Sequence, residues 1–233
     1  MSDSRHLSAY KNDATLKAAF VGELHWHREA DAFIKGTYGN DQPNGKFKGC
    51  GIGCSINSMV RIHRKNPEFF SDPVIVNAST SDHSLMESLL GIPAEIAHLC
   101  DTLFERLESQ KRGKGADFII RMAEAIQPGA DLTVVIPHWI YWTLTDDVRP
   151  TKYPQCQEFI DAVVALYKEW TETDVKPSRD LAYLGDRAYL AYLADKAGEK
   201  LIQLIAESPV ASSRPGVVGK SDAQACAETG GAA

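Results

Sequence analysis

Apolar residues recur along most of the chain at intervals of three and four, the spacing that gathers side chains on one face of an α-helix. No set of alternating strands bounded by hairpin turns accompanies them. The pattern predicts helices over 12–35, 56–65, 83–90, 94–109, 116–127, 131–146, 155–172 and 178–207. Breakers fall between them: Gly36 and Gly39, then Pro67, Gly91-Ile-Pro93, Gly113 and Gly115, Pro128-Gly129, Pro150 and Pro154. Pro93 suits a first helical turn, where its missing N–H costs nothing. Pro137 lies inside an apolar helical run and is expected to kink or divide it. The run Pro73-Val-Ile-Val-Asn77 has β character but no obvious pairing partner. The fold class expected is all-α, a compact multi-helix bundle interrupted by a Gly/Cys-rich loop.

Residues 1–207 read as one helical domain, a size at which a single core is ordinary. From Ser208 the composition turns to Ser, Gly, Ala and Pro, too poor in apolar surface to offset its ordering entropy. A disordered tail over 208–233 is therefore expected, and Cys226 within it is incidental.

On a wheel of about 100° per residue, Leu16, Phe20, Leu24, Ala30 and Ile34 of the first helix share one side. Glu23, His27 and Asp31 fall in the same arc, stacked one turn apart, while His25, Arg28 and Glu29 point away. Ionisable groups on a core-facing stripe need partners, because an uncompensated buried charge costs several kcal/mol. One reading is an acid/base or metal site in the bundle interior, and the other a hydrogen-bonded core network. His83 and Glu87, also four apart, would complete a nitrogen and oxygen ligand set of Glu23, His27, Asp31, His83 and Glu87 for zinc, manganese or iron. Neither a Glu-x-x-His repeat nor a His-Glu-x-x-His motif is present.

The segment Gly45-Lys-Phe-Lys-Gly-Cys-Gly-Ile-Gly-Cys-Ser55 reads as a loop feeding the second helix. Its backbone N–H groups at Gly49, Gly51 and Gly53, with Lys46 and Lys48, offer a place for an anion. It lacks the ending of a P-loop. Cys54, just ahead of the expected helix start, is a candidate nucleophile if its thiol faces the helix amides. The alternative makes Cys50 and Cys54 small buried hydrophobes closing a turn.

Other polar residues carry weaker signals. His63 suits a helix C-terminus, His98 lies opposite a leucine stripe, and Asp101 and Glu105 form an acidic pair off that stripe, on a solvated face or in a cleft. Pro137-His-Trp-Ile-Tyr-Trp142 reads as a buried helix or as a stacking pocket, and the last helix as a close-packing or oligomer surface.

A formal net charge of −6 argues against a broad nucleic-acid surface, although Lys46, Lys48, Arg61, Arg64 and Lys65 form a local basic segment. No apolar run has the length of a membrane span and no secretory leader is evident, so a cytoplasmic protein is expected. Five cysteines in such a chain fit reduced thiols.

Gly36-Thr-Tyr38, Phe47-Lys-Gly-Cys-Gly-Ile-Gly-Cys-Ser55, Leu90-Gly-Ile-Pro93, Leu99-Cys-Asp-Thr-Leu-Phe-Glu105 and Gly129-Ala-Asp-Leu132 resemble a group of uncharacterised bacterial and phage-borne proteins. The likeness covers about the first 135 residues and implies a phage or mobile-element setting without an activity.

Three functions are compatible with these patterns. The first is a metal-assisted hydrolase of an anionic small molecule, with Glu23, His27, Asp31 and Cys54 catalytic and the glycine loop holding the anion. The second is a non-catalytic protein contacting a host macromolecule. The third is nucleic-acid binding through the basic segment.

Overall fold

The computed structural model describes residues 7–41, 46–70, 74–75, 78–146, 154–173 and 190–210. Among these, eight α-helices carry the architecture, with one two-residue hairpin as the regular sheet. The chain is all-α.

Helix α1 (Ala14–Glu29) is started by the Asp13 carboxylate, which accepts from the N–H groups of Thr15 at 2.7 Å and Leu16 at 3.2 Å. It stops six residues before the apolar periodicity does. Asp31 adopts φ +52°, and the chain beyond it pairs with the segment leading into the second helix. Ile34 N–H donates to Gly49 O at 2.8 Å and Gly49 N–H to Ala32 O at 3.0 Å. Strands β1 (Asn40–Asp41) and β2 (Phe47–Lys48) pair antiparallel, Asn40 opposite Lys48 and Asp41 opposite Phe47.

Helix α2 (Gly51–Lys65) begins five residues ahead of the expected start and absorbs most of the glycine loop. Glycine is a poor helix former, by about 1 kcal/mol against alanine. Close packing explains its use, since a Cβ on Gly53 would lie 1.7 Å from the Tyr38 carbonyl oxygen, inside the atoms already there.

Helix α3 (Ser84–Leu90) ends at Gly91, whose φ of +65° and contact with the Ser8 carbonyl exclude a side chain. Pro93 immediately precedes α4 (Ala94–Gln110). The Glu108 carboxylate accepts from Gly113 N–H at 2.8 Å and Gly115 N–H at 3.1 Å, turning the chain into α5 (Lys114–Ala125). Helix α6 (Val135–Asp146) starts later than the periodicity, because Asp131 holds Thr133 through its amide at 3.1 Å and its hydroxyl at 2.6 Å. Pro137 then falls in the first turn, where it removes no helical hydrogen bond, and neither kink nor division follows. Helices α7 (Pro154–Thr173) and α8 (Leu190–Ala206) complete the order. The expected helical stretch 178–189 lies outside the described residues.

Helices α1, α2, α4 and α5 pack on one another, α8 lies across α4, α5 and α6, and α7 rests on α6. Their apolar faces merge into one core that includes Phe20, Leu24, Ile56, Phe104, Ile119, Leu201 and Ile205. Trp139 donates from Nε1 to Ala197 O at 3.1 Å, so the aromatic segment of α6 is spent on packing against α8.

Three distant pieces close the fold. Ala9 N–H donates to Ala130 O at 3.0 Å, Gly129 N–H to Ala9 O at 2.7 Å, and Asp131 N–H to Pro209 O at 2.8 Å. Ser208 is buried and Val210 bridges Ala130, so the expected tail contributes its first residues to the domain. Residues 211–233 lie outside the described part. The Pro73–Asn77 run is described only at Val74 and Ile75, which form a turn. No helix among the described residues is long and apolar enough to cross a membrane.

Candidate metal centre

The first helix buries Glu23 and His27 as its periodicity predicts, but the two do not build a site with Asp31. Because α1 ends at Glu29, Asp31 leaves the helical stack. It lies on the surface, with 60% of its side chain exposed, where Arg112 grips both carboxylate oxygens at 2.6 Å and Lys48 approaches to 3.6 Å. Glu23 is neutralised by Arg61 at 2.5 Å and by Lys65. Hydrogen bonds and charge from these two cations outweigh its burial and hold its carboxyl below the usual range. His27 has no exposed surface and neither ring nitrogen has a hydrogen-bond partner. The rings of Trp26, Phe33 and Phe47 surround it at centroid distances of 5.1, 6.2 and 6.0 Å. Burial, aided by the Arg61 charge, pushes its pKa down to about 4, so it is a neutral core residue at pH 7.

The remaining members of the expected ligand set are also elsewhere. Glu87 accepts from Ala94 N–H at 3.1 Å and caps α4, so it does not pair with His83. The glycine segment has spent three of its donors within the chain. Gly49 N–H goes to Ala32 O, Cys50 N–H to Thr37 O at 2.7 Å and Gly53 N–H to Cys50 Sγ at 3.4 Å. The glycines serve close packing, and the Gly49 and Gly53 N–H groups offered to an anion are already bonded within the chain. Lys48 is engaged with Asp31, and Lys46 stands just ahead of β2. Cys54 is fully buried, directs its thiol to Gly49 O at 3.4 Å and Ala32 O at 3.7 Å, and has its pKa raised by burial. Those are the marks of a structural cysteine rather than a nucleophile.

A different cluster forms where the turn after α1, the start of α2, the residues before α3 and one face of α4 meet. Helix α4 presents His98, Asp101 and Glu105 at positions i, i+3 and i+7. Cys50 caps α2, nearly buried, and its Sγ together with one oxygen each of Asp101 and Glu105 lie within 4.8 Å of one another. Among the described residues this is the group of three donors able to hold a metal ion. Glu105 is aimed by Gly36, whose N–H donates to both its oxygens at 2.9 and 3.0 Å. The same turn lays Tyr38 over the cluster, partly exposed and edge-on to the His83 ring at 5.7 Å.

His83 supplies the most informative contact. Its Nδ1 lies 3.0 Å from Ser81 O, and a carbonyl only accepts, so Nδ1 carries the hydrogen there. In the neutral ring Nε2 is then a bare lone pair, and it lies 3.4 Å from Asp101 Oδ2. Two acceptors face each other. His83 is 6% exposed, Nε2 has no hydrogen-bond partner, and Asp101 Oδ1 is likewise buried without one. His98 stacks on the His83 ring at 3.9 Å and fixes its plane.

The electrostatics carry the same mark. Burial, then the Asp101 charge, push the Cys50 thiol up to about 12 against the helix amides that lower it. Burial and Asp101 also raise the Tyr38 phenol. Burial raises the Glu105 carboxyl, with Asp101 adding to the shift and the Gly36 amide and Lys35 opposing it. Three groups thus resist ionisation around one carboxylate, a pattern that a bound cation would reverse.

Sequence reasoning placed His83 in a site but missed Cys50, Asp101, Glu105 and Tyr38. The available signal was the His98, Asp101 and Glu105 register on a single helix face. No known protein family, curated protein or solved structure matches the chain.

Proposed function

We propose that the chain holds a divalent transition-metal ion between Cys50, Asp101 and Glu105, with His83 Nε2 as a fourth donor, and that the ion serves metal-assisted hydrolysis. The observation that carries this reading is His83 Nε2, buried without a hydrogen-bond partner and 3.4 Å from Asp101 Oδ2, with Asp101 Oδ1 beside it also buried and without a hydrogen-bond partner. Either a second proton or a cation must occupy that line, and the nearby Cys50 and Glu105 donors favour the cation.

A donor set of sulfur, nitrogen and carboxylate oxygen suits zinc, cobalt(II) or iron(II) far better than magnesium or calcium, which favour oxygen alone. When bound, such an ion supplies a Lewis acid and an acidified water. Ser81 holds the His83 tautomer, as outer partners of metal-bound imidazoles do, and Gly36 orients Glu105. Tyr38, open on one side, is placed to meet a substrate. One thiolate and two carboxylates bring up to three negative charges to a doubly charged ion. A substrate neutral at its reacting group therefore fits this centre better than an anionic one.

Titration of chelator-treated protein with zinc and cobalt(II) tests the centre. About one ion per chain should bind, cobalt should show a thiolate charge-transfer band that Cys50→Ser removes, and Asp101→Asn should weaken binding at least tenfold. Binding that is absent, or indifferent to Cys50→Ser and Asp101→Asn together, overturns the proposal. Hydrolysis of p-nitrophenyl acetate in preference to p-nitrophenyl phosphate, dependent on metal and lost in Glu105→Gln, tests the chemistry.

A further inference from the structure

A second surface, separate from the metal centre, lies where the end of α1 meets α2 and β2. The segment from Lys46 to Lys65 contains five basic residues and no Asp or Glu, in a chain whose net charge is −6. The fold adds Trp26 to this segment. The residue is 42% exposed, and the Arg61 guanidinium lies over its ring at 3.6 Å from the centroid. Arg61 and Lys65, one turn apart on α2, both reach Glu23, which spends one negative charge on two cations. Arg64 is exposed beside them. His27 links the two basic elements, because its ring touches both Trp26 and Phe47, and Phe47 sits between Lys46 and Lys48.

We infer that this surface binds single-stranded nucleic acid, with Trp26 stacking a base and the cations of α2 and β2 following the phosphates. An indole is a costly residue to leave 42% exposed, and stacking on a guanidinium holds it in a fixed plane rather than burying it. An exposed aromatic ring beside cations spaced along a strand path is the arrangement that single strands use, whereas a duplex hides its base faces. The carboxylates in the region, Glu23, Glu29, Asp31 and Asp41, are fewer than the five cations of the segment, and Glu23 and Asp31 are already paired with arginine. Glu23 holds Arg61 against Trp26, so it shapes the surface rather than opposing it.

The test is fluorescence anisotropy of a labelled 20-nucleotide single strand titrated with the full-length protein, in rising salt. Binding is expected with a log–log salt slope of about −2 to −3, from three or four phosphate contacts at about 0.7 each. Trp26→Ala should weaken it roughly 5- to 150-fold, the equivalent of ~1–3 kcal/mol per stacked base at 1.4 kcal/mol per tenfold. Arg64→Glu, an exposed change, should flatten the salt slope and weaken binding whether or not Trp26→Ala folds. Binding that is absent at low salt overturns the inference. So does an unchanged affinity in both variants, or a duplex of the same sequence bound as tightly as the single strand. A base-free polyphosphate that displaces the oligonucleotide equally well from wild type and Trp26→Ala would show a polyanion surface only, and would also overturn it. The metal centre plays no part, so the oligonucleotide result and the zinc titration fail independently.

Discussion

His27 is an imidazole with no exposed surface and no hydrogen bond, and replacing it with phenylalanine isolates what that arrangement costs. In the folded chain its pKa is about 4, against an ordinary value of 6.5. Protonation is therefore easier in the unfolded chain, which binds more protons between those two values. The sign follows from linkage. Above pH 6.5 the group is neutral in both states and costs nothing through titration, and stability falls as the pH drops toward 4. The full difference corresponds to about 3 kcal/mol, and about 2 kcal/mol of it should be spent between pH 7 and pH 5.

His27→Phe removes the titration and both unsatisfied nitrogens while keeping a ring among Trp26, Phe33 and Phe47. At pH 7 the variant should match or exceed the wild type, because replacing an unpaired buried polar group with an apolar one of similar shape relieves its desolvation. At pH 5 its advantage should grow by about 2 kcal/mol. Urea unfolding of both proteins at the two pH values measures this. Every other ionisable group is common to both proteins and cancels in the difference. Glu23 is held below the usual carboxyl range, so it stays ionised at pH 5 and does not confuse the comparison. An advantage that is the same at both pH values would mean that His27 gains a partner when folded, and the reasoning fails.

Gly53→Ala would bring a methyl to within 1.7 Å of the Tyr38 carbonyl oxygen, and the chain rather than a flexible side chain would have to move. A loss of about 3 kcal/mol or more is expected, visible as a fall in thermal midpoint of roughly 6–12 °C. Tyr10→Phe removes the hydroxyl that donates to Ala123 O at 2.9 Å in the core and should cost about 1–3 kcal/mol in urea unfolding at pH 7. Asp101→Asn should behave in the opposite sense in chelator. Its amide can donate to His83 Nε2, and stability should hold or rise by up to about 1–3 kcal/mol, the cost of an unpaired buried acceptor. Destabilisation of metal-free Asp101→Asn would assign the carboxylate a structural role.

The helices were legible because apolar spacing reports which face is buried, and the fold obeys it at Phe20, Leu24, Phe104 and Leu107. Their ends were less so, for reasons external to each helix. Periodicity carries α1 on to residue 35, but Phe33 pairs with Gly49, a contact that no local pattern encodes. Gly51 and Gly53 read as loop because glycine is a weak helix former, and they are helical because Ile119 and the Tyr38 carbonyl approach them closely. The wheel of α1 placed Glu23 and His27 inside correctly. It had no means of showing that Arg61 and Lys65 come to meet Glu23 from α2. For α4 the wheel placed Asp101 and Glu105 off the leucine stripe, and that position is the same for a solvated face and for a cleft. That face is covered because the Gly36–Gly39 turn and His83, distant in sequence, lie against it.

The contrast between the two polar clusters shows which one is finished by the fold alone. Around Glu23 the negative charge finds its partners: a carboxylate with two cations, beside an imidazole driven neutral by burial. The carboxylate there is satisfied within the fold, as expected of a network that fixes the packing of α1 on α2, and the second cation is left over for the surface. Around Asp101 the charges do not close. Burial, and after it the same carboxylate, push Cys50, Tyr38 and Glu105 toward their neutral forms, and His83 Nε2 lies 3.4 Å from that carboxylate. Lys35 offsets part of this at Glu105, but its ammonium is hydrogen-bonded to Ser109. A fold selected for stability alone would relieve the conflict by one change of Asp to Asn. Leaving acceptors together, oriented by Gly36 and Ser81 and partly open to solvent at Tyr38, is a cost that makes physical sense when a cation completes the cluster.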